Sequence, residues 1–304
     1  MSGLKVAMSL VTAAALCVTP QDEQRERAGA VQFQIKNVDL LLTRDIILGV
    51  RTLRGQLERT NPKVPVTFDD SDSFLVDADS AEVDITPATL TALMNSYVFA
   101  YPNAPVKNIT MTFSGDRVIQ KGTIHKGVDL PFEIVGSISA TEDGKVRLHA
   151  DSIKSGRLPV KGLLHFLGED LSKLLHENQG RGIEVEHDDI ILLTERLTPP
   201  PHIHGRVRQV GISDGKLVMV FDSGRHVPVL KPPFATGAYI YHRGGIIRFG
   251  KLTMTDADLE IVGDRPGSFS FFQHEYQKQL VAGYSKNTPA NGLVAHMFDY
   301  SHFQ

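Results

Sequence analysis

The chain has 304 residues, of which 41% are hydrophobic and 22% are charged, a composition that excludes a disordered chain and a polytopic membrane protein. The 32 Lys and Arg residues and 35 Asp and Glu residues give a net charge of −3. Nucleic acid is therefore not expected as a partner, because no basic excess is available to neutralise phosphates. Cys17 is the single cysteine, which excludes an intramolecular disulfide and a multi-cysteine metal site.

Residues 1–20 predict an exported protein. Lys5 is followed by an uncharged stretch over residues 6–18 that ends in small residues, and this order is typical of a secretory signal. The stretch is shorter than the about 20 apolar residues that span a bilayer. We expect residues 1–20 to be a signal-peptide-like segment and the protein to lie in the periplasm or cell envelope. Lipidation at Cys17 and a buried N-terminal element of a cytosolic protein are the alternatives.

Two segments have the spacing of amphipathic helices. Thr86 is placed to cap the first, with Pro87 at its opening position. The second begins near Pro159 and carries one continuous apolar stripe. The residues over 44–60 fit a helix or a strand, and we favour a strand because Gly49 and Gly55 each cost about 1 kcal/mol inside a helix. The apolar positions are Leu90, Leu93, Met94 and Tyr97 in the first helix, and Val160, Leu163, Leu164, Leu167, Leu171, Leu174 and Leu175 in the second.

Alternation of apolar and polar residues predicts antiparallel strands elsewhere. The Asp-Gly pairs at 143–144 and 214–215 predict hairpins with type I′ turns, in which both central residues have positive φ. Gly244-Gly245 predicts another tight hairpin, and residues 251–262 predict a further strand. The residues expected to share strand faces are Ile109, Met111 and Phe113; Phe132, Ile134, Gly136 and Ile138; and Val146, Leu148 and Ala150.

The proline run at 198–203 predicts an extended connection between two parts of the chain. We expect a helix-wrapping antiparallel β domain over 30–197 and a C-terminal β-rich part over 203–304, with strands up to the sequence at 273–284. Few helices among many antiparallel strands give an α+β class. The predicted fold is a strongly bent antiparallel sheet around one or two amphipathic helices.

Searches for catalytic patterns give no active site. His202 and His204 alternate on a predicted strand and could hold Zn²⁺ with His226 or His242, but no established zinc-site spacing is present. The acidic run DDSD at 69–72, with Asp77, Asp79, Glu82 and Asp84 after it, lacks the glycine and spacing of a calcium loop, so we interpret it as the solvated face of a sheet. Ser285 and Lys286 are adjacent on a strand and face opposite ways. We therefore predict no enzyme, no cofactor and no metal.

The apolar residues of the two predicted helices indicate a different role. A bent sheet over the leucine-rich helix can close as a packed core or leave an apolar groove suited to an acyl chain. The predicted lining of such a groove is Leu90, Leu93, Met94, Tyr97, Leu163, Leu164, Leu167, Leu171 and Leu174.

The order of elements over residues 85–175 resembles a known pattern. The helix ITPATLTALMNSYVF, the following strands and the segment LPVKGLLHFLGEDLSKLL resemble the lipid-binding-like domains of uncharacterised bacterial envelope proteins related to the tubular lipid-binding (TULIP) superfamily. In that superfamily a bent antiparallel sheet wraps a long helix, and several members hold lipids between the two. The resemblance covers under a third of the chain and leaves the C-terminal part unexplained. It implies apolar-ligand binding or a structural role in the envelope.

We therefore expect an exported, non-catalytic binding or scaffold protein that holds a lipid-like ligand between sheet and helix. Its expected partners are an apolar ligand, an envelope protein and, peripherally, the membrane. One alternative is a structural or assembly module with a filled core and no ligand. A metal-dependent envelope hydrolase is the other.

Overall fold

The computed structural model describes residues 30–125, 128–155, 158–159, 182–186, 189–234, 237–264 and 267–304. These residues form an α+β fold dominated by strands, with two sheets and a few short helices, so the predicted fold class is confirmed. The segment at 1–20 and the leucine-rich stripe at 160–175 lie outside the described residues.

The larger sheet has 12 strands, which come from the N-terminal and the C-terminal parts of the described chain. Its main order is β13-β14-β4-β2-β1-β15-β16-β19-β18, with β12 beside β4, β17 beside β1 and β3 beside β15. Among the described strands four pairings are parallel (β1–β17, β4–β12, β3–β15 and β16–β19), and local hairpin patterns do not predict such pairings. The strands are β1 (Val31–Leu41), β2 (Ile47–Arg59), β3 (Val66–Thr67), β4 (Phe74–Ile85), β12 (Ile203–His204), β13 (Val207–Ser213), β14 (Lys216–Asp222), β15 (Tyr239–Phe249), β16 (Leu252–Gly263), β17 (Phe269–Phe272), β18 (Tyr284–Asn287) and β19 (Leu293–Met297).

In the part of the chain that the structure describes, the smaller sheet has seven strands, and all of its pairings are antiparallel. Its order is β10-β11-β8-β7-β6-β5, with β9 beside β8. The apolar faces predicted for β5, β7 and β8 are buried or half-buried, and this confirms the alternation in this part of the chain. The strands are β5 (Val106–Ser114), β6 (Arg117–His125), β7 (Asp129–Ala140), β8 (Val146–Ser155), β9 (Leu158–Pro159), β10 (Ile183–Glu186) and β11 (Asp189–Leu192).

The helices among the described residues are short and lie between strands. Helix α1 (Pro87–Leu93) begins as predicted, because the Thr86 hydroxyl accepts a hydrogen bond from the Thr89 N–H at 3.1 Å and Pro87 occupies the first turn. It continues into a π-helical turn over Met94–Val98. Two further helices in the described part of the chain are α2 (Thr194–Leu197) and α3 (Tyr276–Ala282), and 3₁₀ turns lie at Ser71–Ser73, Gln273–Glu275 and Tyr300–Phe303.

Helix α1 connects the two sheets and covers the edge of the smaller one. Thr91 Oγ1 accepts the Met111 N–H at 2.9 Å, and Asn95 bonds both the N–H (2.9 Å) and the carbonyl (2.7 Å) of Ile109. These bonds satisfy backbone groups on the outer edge of β5, which would otherwise be open to another strand. The inner faces of both sheets and α1 then share one continuous apolar core.

Most predicted hairpins are confirmed. Asp214 and Gly215 both have positive φ (51° and 70°), as a type I′ turn requires. At 143–144 the hairpin is present, but the type I′ prediction is wrong because only Gly144 has positive φ (88°). Thr141 and Lys145 pair across a three-residue loop there, and the glycine supplies its left-handed position.

The hairpin predicted at Gly244-Gly245 is wrong. Both glycines have positive φ, but they lie inside β15, and the ladder with β16 continues from Gly244–Ala257 to Ile246–Thr255. Asp256 on the opposite strand also has positive φ (50°), so both strands are locally irregular here without ending. The strand continues because Ile247 and later apolar residues are buried in the core.

The sheets do not follow the predicted division of the chain. Strands from residues 31–85 and from residues 203–297 together form the larger sheet, and residues 106–192 form the smaller one. The proline run at 198–203 lies between strands of different sheets, but neither part predicted around it corresponds to one sheet.

The ambiguous stretch at 44–60 forms a strand, β2, as predicted. Its Gly55 lies at a break in register with β4, where the Asp77 backbone approaches so closely that a Cβ on Gly55 would overlap the Asp77 carbonyl oxygen. Glycine is required here by close backbone approach.

Gly55→Ala is expected to lower the free energy of unfolding by about 1–3 kcal/mol, because the overlapping atom is backbone and cannot turn aside. Gly211→Ala, in β13, is the matched control, since a Cβ there has no atom within 4 Å. Urea denaturation of both variants measures the difference. Equal stability of the two variants would contradict this account of β2 and β4.

Candidate functional site

An apolar cavity of about 60 Å³ lies between the smaller sheet, helix α1 and β14 of the larger sheet. All six strands in the main order of the smaller sheet contribute to it, and Gln120 is the one polar residue among its described lining. The lining comes from these elements because their apolar positions alternate toward one face. Its main described members are Leu90, Met94, Met111, Val118, Phe132 and Ile134.

The predicted site residues divide into three groups. Leu90 and Met94 line the cavity. Leu93 is buried in the common core, and Tyr97 is half-buried against it, but neither lines the cavity. Leu163, Leu164, Leu167, Leu171 and Leu174 lie outside the described residues.

The cavity volume limits what the site holds in this conformation. Ligand pockets for drug-sized molecules enclose about 300–1,000 Å³, and an apolar cavity of about 150 Å³ admits benzene. The present space is therefore smaller than an acyl chain requires. Its walls include the flexible side chains of Met94 and Met111, which can adopt other rotamers at low cost.

A second apolar cavity, of about 40 Å³, lies in the core beneath the larger sheet and contains His242. The His242 ring is 0% exposed and its centroid lies 4.9 Å from Phe33 and 5.1 Å from Phe68. Neither ring nitrogen has a hydrogen-bond partner within the described residues. Burial lowers the pKa of His242 to about 3, and the neighbouring Leu259 backbone, which raises it, is outweighed. His242 is therefore neutral at pH 7.

The proposed zinc ligands are not brought together. Ile203 lines the cavity that contains His242, so His202 and His204, on either side of it in the chain, face the other way. His226 lies on an exposed connection on the outer face of the larger sheet. Within the described ranges no group of three or more His, Cys, Asp or Glu residues is placed to hold a metal ion.

The acidic run forms ion pairs, and its interpretation as a solvated face is wrong for three residues. Asp79 is only 7% exposed and, with Asp77, binds the Arg225 guanidinium. Asp84 binds Arg51 at 2.5 Å and Lys216 at 3.1 Å. Burial would raise the pKa of Asp84, but these hydrogen bonds outweigh it and hold the pKa below its ordinary value.

Asp69 and Asp70 have local structural roles. The Asp69 carboxylate accepts hydrogen bonds from the Tyr276 hydroxyl and, at 2.7 Å, from the Gln277 amide. Asp70 caps the 3₁₀ turn by accepting the Asp72 N–H at 3.1 Å. These contacts tie the acidic run to α3 and to its own backbone. Ser285 and Lys286 lie on strand β18, and both residues are exposed.

No family model matches this chain, and searches of curated proteins and of solved structures also give no match. The resemblance to TULIP-related domains therefore stays a prediction. None of the helices in the described part of the chain has the length and hydropathy needed to cross a membrane.

The folded-state pKa of His242, about 3, lies below the ordinary value of 6.5, so unfolding takes up a proton between these two pH values. The stability that depends on the neutral ring is complete above pH 6.5 and is lost as the pH falls towards 3. Between pH 7.5 and 4.5 this loss is expected to be roughly 2–3 kcal/mol, and His242→Leu should lack it.

Urea unfolding of the wild type, His242→Leu and the exposed control His204→Leu at both pH values measures the effect. The control should keep the wild-type pH dependence. The same pH dependence in wild type and His242→Leu would show that the buried ring does not titrate in this way.

Proposed function

We propose that this chain is an exported, non-catalytic binding or scaffold protein of the bacterial cell envelope, and that it holds a lipid-like apolar ligand between the smaller sheet and helix α1. The observation that carries the proposal is the cavity lining, which joins six strands and α1 around one polar side chain. Acyl chains are recognised by extended apolar walls with few polar contacts. The composition of residues 1–20 supports export. We also propose that the protein associates peripherally with the membrane.

Binding an acyl chain requires this cavity to widen. Leu90 and Met94 form the helical wall, and α1 is attached to the edge of β5 through Thr91 and Asn95. These bonds lie on the strand edge, outside the apolar lining. A bound ligand would therefore displace the side chains of Leu90 and Met94, and α1 would keep its hydrogen bonds to β5.

The small volume of the cavity favours a second candidate, a structural or assembly module with a filled core. In that role the outer strand β18 would recruit an envelope protein by strand addition, because all four of its residues are exposed and it ends the larger sheet. If this second candidate function is correct, the protein takes up no ligand and gives a stable oligomer or complex on crosslinking.

Val118→Phe is expected to weaken uptake of a fluorescent long-chain fatty acid at least about tenfold, because the ring fills the space that the chain must enter. Val50→Phe is the matched control, since Val50 lines the 40 Å³ cavity in the other part of the core. Fluorescence titration measures uptake, and circular dichroism checks that each variant is folded.

Saturable uptake by the wild type and Val50→Phe, but not by Val118→Phe, supports the ligand proposal. The smaller change Val118→Leu serves if the phenylalanine variant does not fold. Absence of uptake by the folded wild type would favour the filled-core module.

A further inference from the structure

A long connection crosses the outer face of the larger sheet. We call residues 223–234, between the end of β14 and the approach to β15, the strap. Along its length it passes β4, β1 and β16, so it runs across the strands and not along them. This face is opposite to the one that packs on the core.

Within the described residues, contacts at the beginning, middle and end of the strap hold it to the sheet. At its beginning, Arg225 binds Asp77 at 2.8 Å and also Asp79. In the middle, the Leu230 N–H donates to Gln34 Oε1 at 3.0 Å. At the end, the Phe234 N–H donates at 2.8 Å to Glu260, a carboxylate that is 0% exposed.

Between the first two of these contacts the strap stands away from the sheet. Within the described residues, none of residues 226–229 makes a backbone–backbone hydrogen bond to the strands below. A groove of about 640 Å³ lies at this point, with β2, β4 and β14 as its floor and residues 225–229 as its rim. This volume is within the range of small-molecule sites, unlike the two apolar cavities.

A positive and a negative side chain lie close together on the floor of this groove. Arg54 of β2 is paired in register with Ser80 of β4, and Thr52 is paired with Glu82, so Arg54 and Glu82 are diagonal neighbours. Neither charged side chain has an ion-pair or hydrogen-bond partner in the described part of the chain, although Arg54 is half-buried. By contrast, Arg51 and Arg225 on the same side of the sheet are both paired with carboxylates.

We propose that this groove binds a small zwitterionic ligand of the amino-acid or short-peptide class, with the ligand carboxylate on Arg54 and its ammonium group on Glu82. A guanidinium presents several N–H donors to a carboxylate, and such charge-assisted hydrogen bonds are among the stronger ones in proteins. The Thr52 and Ser80 hydroxyls add neutral donors and acceptors between the two charges.

The charges on the groove select against other ligand classes. A phosphate-rich ligand would meet the carboxylates of Glu82 and Asp222, and Arg225 is already neutralised by two aspartates. An apolar chain would cover the polar groups of Arg54, Ser80 and Thr52 without satisfying them. This site is separate from the apolar cavity and does not depend on the proposed lipid ligand.

The test uses isothermal titration calorimetry of the full chain with three probes. Trialanine carries both terminal charges, N-acetyl-trialanine carries only the carboxylate, and trialanine amide carries only the ammonium group. Arg54→Gln is expected to weaken trialanine about tenfold or more and to leave trialanine amide unchanged. Glu82→Gln is expected to weaken trialanine similarly and to leave N-acetyl-trialanine unchanged.

Arg208→Gln and Glu142→Gln are the matched controls, because both residues are exposed and lie outside the groove. They should bind trialanine as the wild type does. No saturable binding of trialanine by the wild type at millimolar concentrations overturns the proposal. So does an equal loss of affinity in the control variants, or a loss in Arg54→Gln that is the same for all probes.

Discussion

The burial of one face of each sheet in a shared apolar core is the constraint on which the rest of this structure depends. Leu53 of the larger sheet, Ile134 of the smaller sheet and Leu90 of α1 belong to the same core. Because these faces are committed to packing, two kinds of space are left for a ligand. One is an imperfection inside the core, and the other is the outer face of a sheet. The apolar cavity and the strap groove occupy these two positions.

Local patterns in the sequence predict the local structure well. The alternation along β5, β7 and β8 places the buried side chains correctly, and the Thr86-Pro87 signal gives the exact start of α1. Gly244-Gly245 shows the limit of this reasoning, because a positive φ is compatible with an irregular strand as well as with a turn. The parallel pairs of the larger sheet join strands that are far apart in the sequence. Local alternation of apolar and polar residues therefore does not predict them.

The candidate site is predictable only in part for the same reason. The helical spacing identifies Leu90 and Met94, but the strands opposite them are recognised as cavity walls only once the sheets are assembled. Asp77 and Asp79 alternate as a solvated face should, yet Arg225 covers them from about 150 positions further along the chain. One feature of the sequence indicates the strap. It is a proline-rich stretch between two strands that is too long for a tight hairpin.

We propose that an apolar ligand occupies the space between the smaller sheet and α1. Native mass spectrometry of the full chain purified from its native cells is the most direct test, together with lipid extraction of the same sample. The expected spectrum of the native protein contains a bound mass. Extraction with organic solvent removes this mass, and the extract contains a lipid-like compound. A ligand-free spectrum before and after extraction, from protein that is folded, would contradict this proposal.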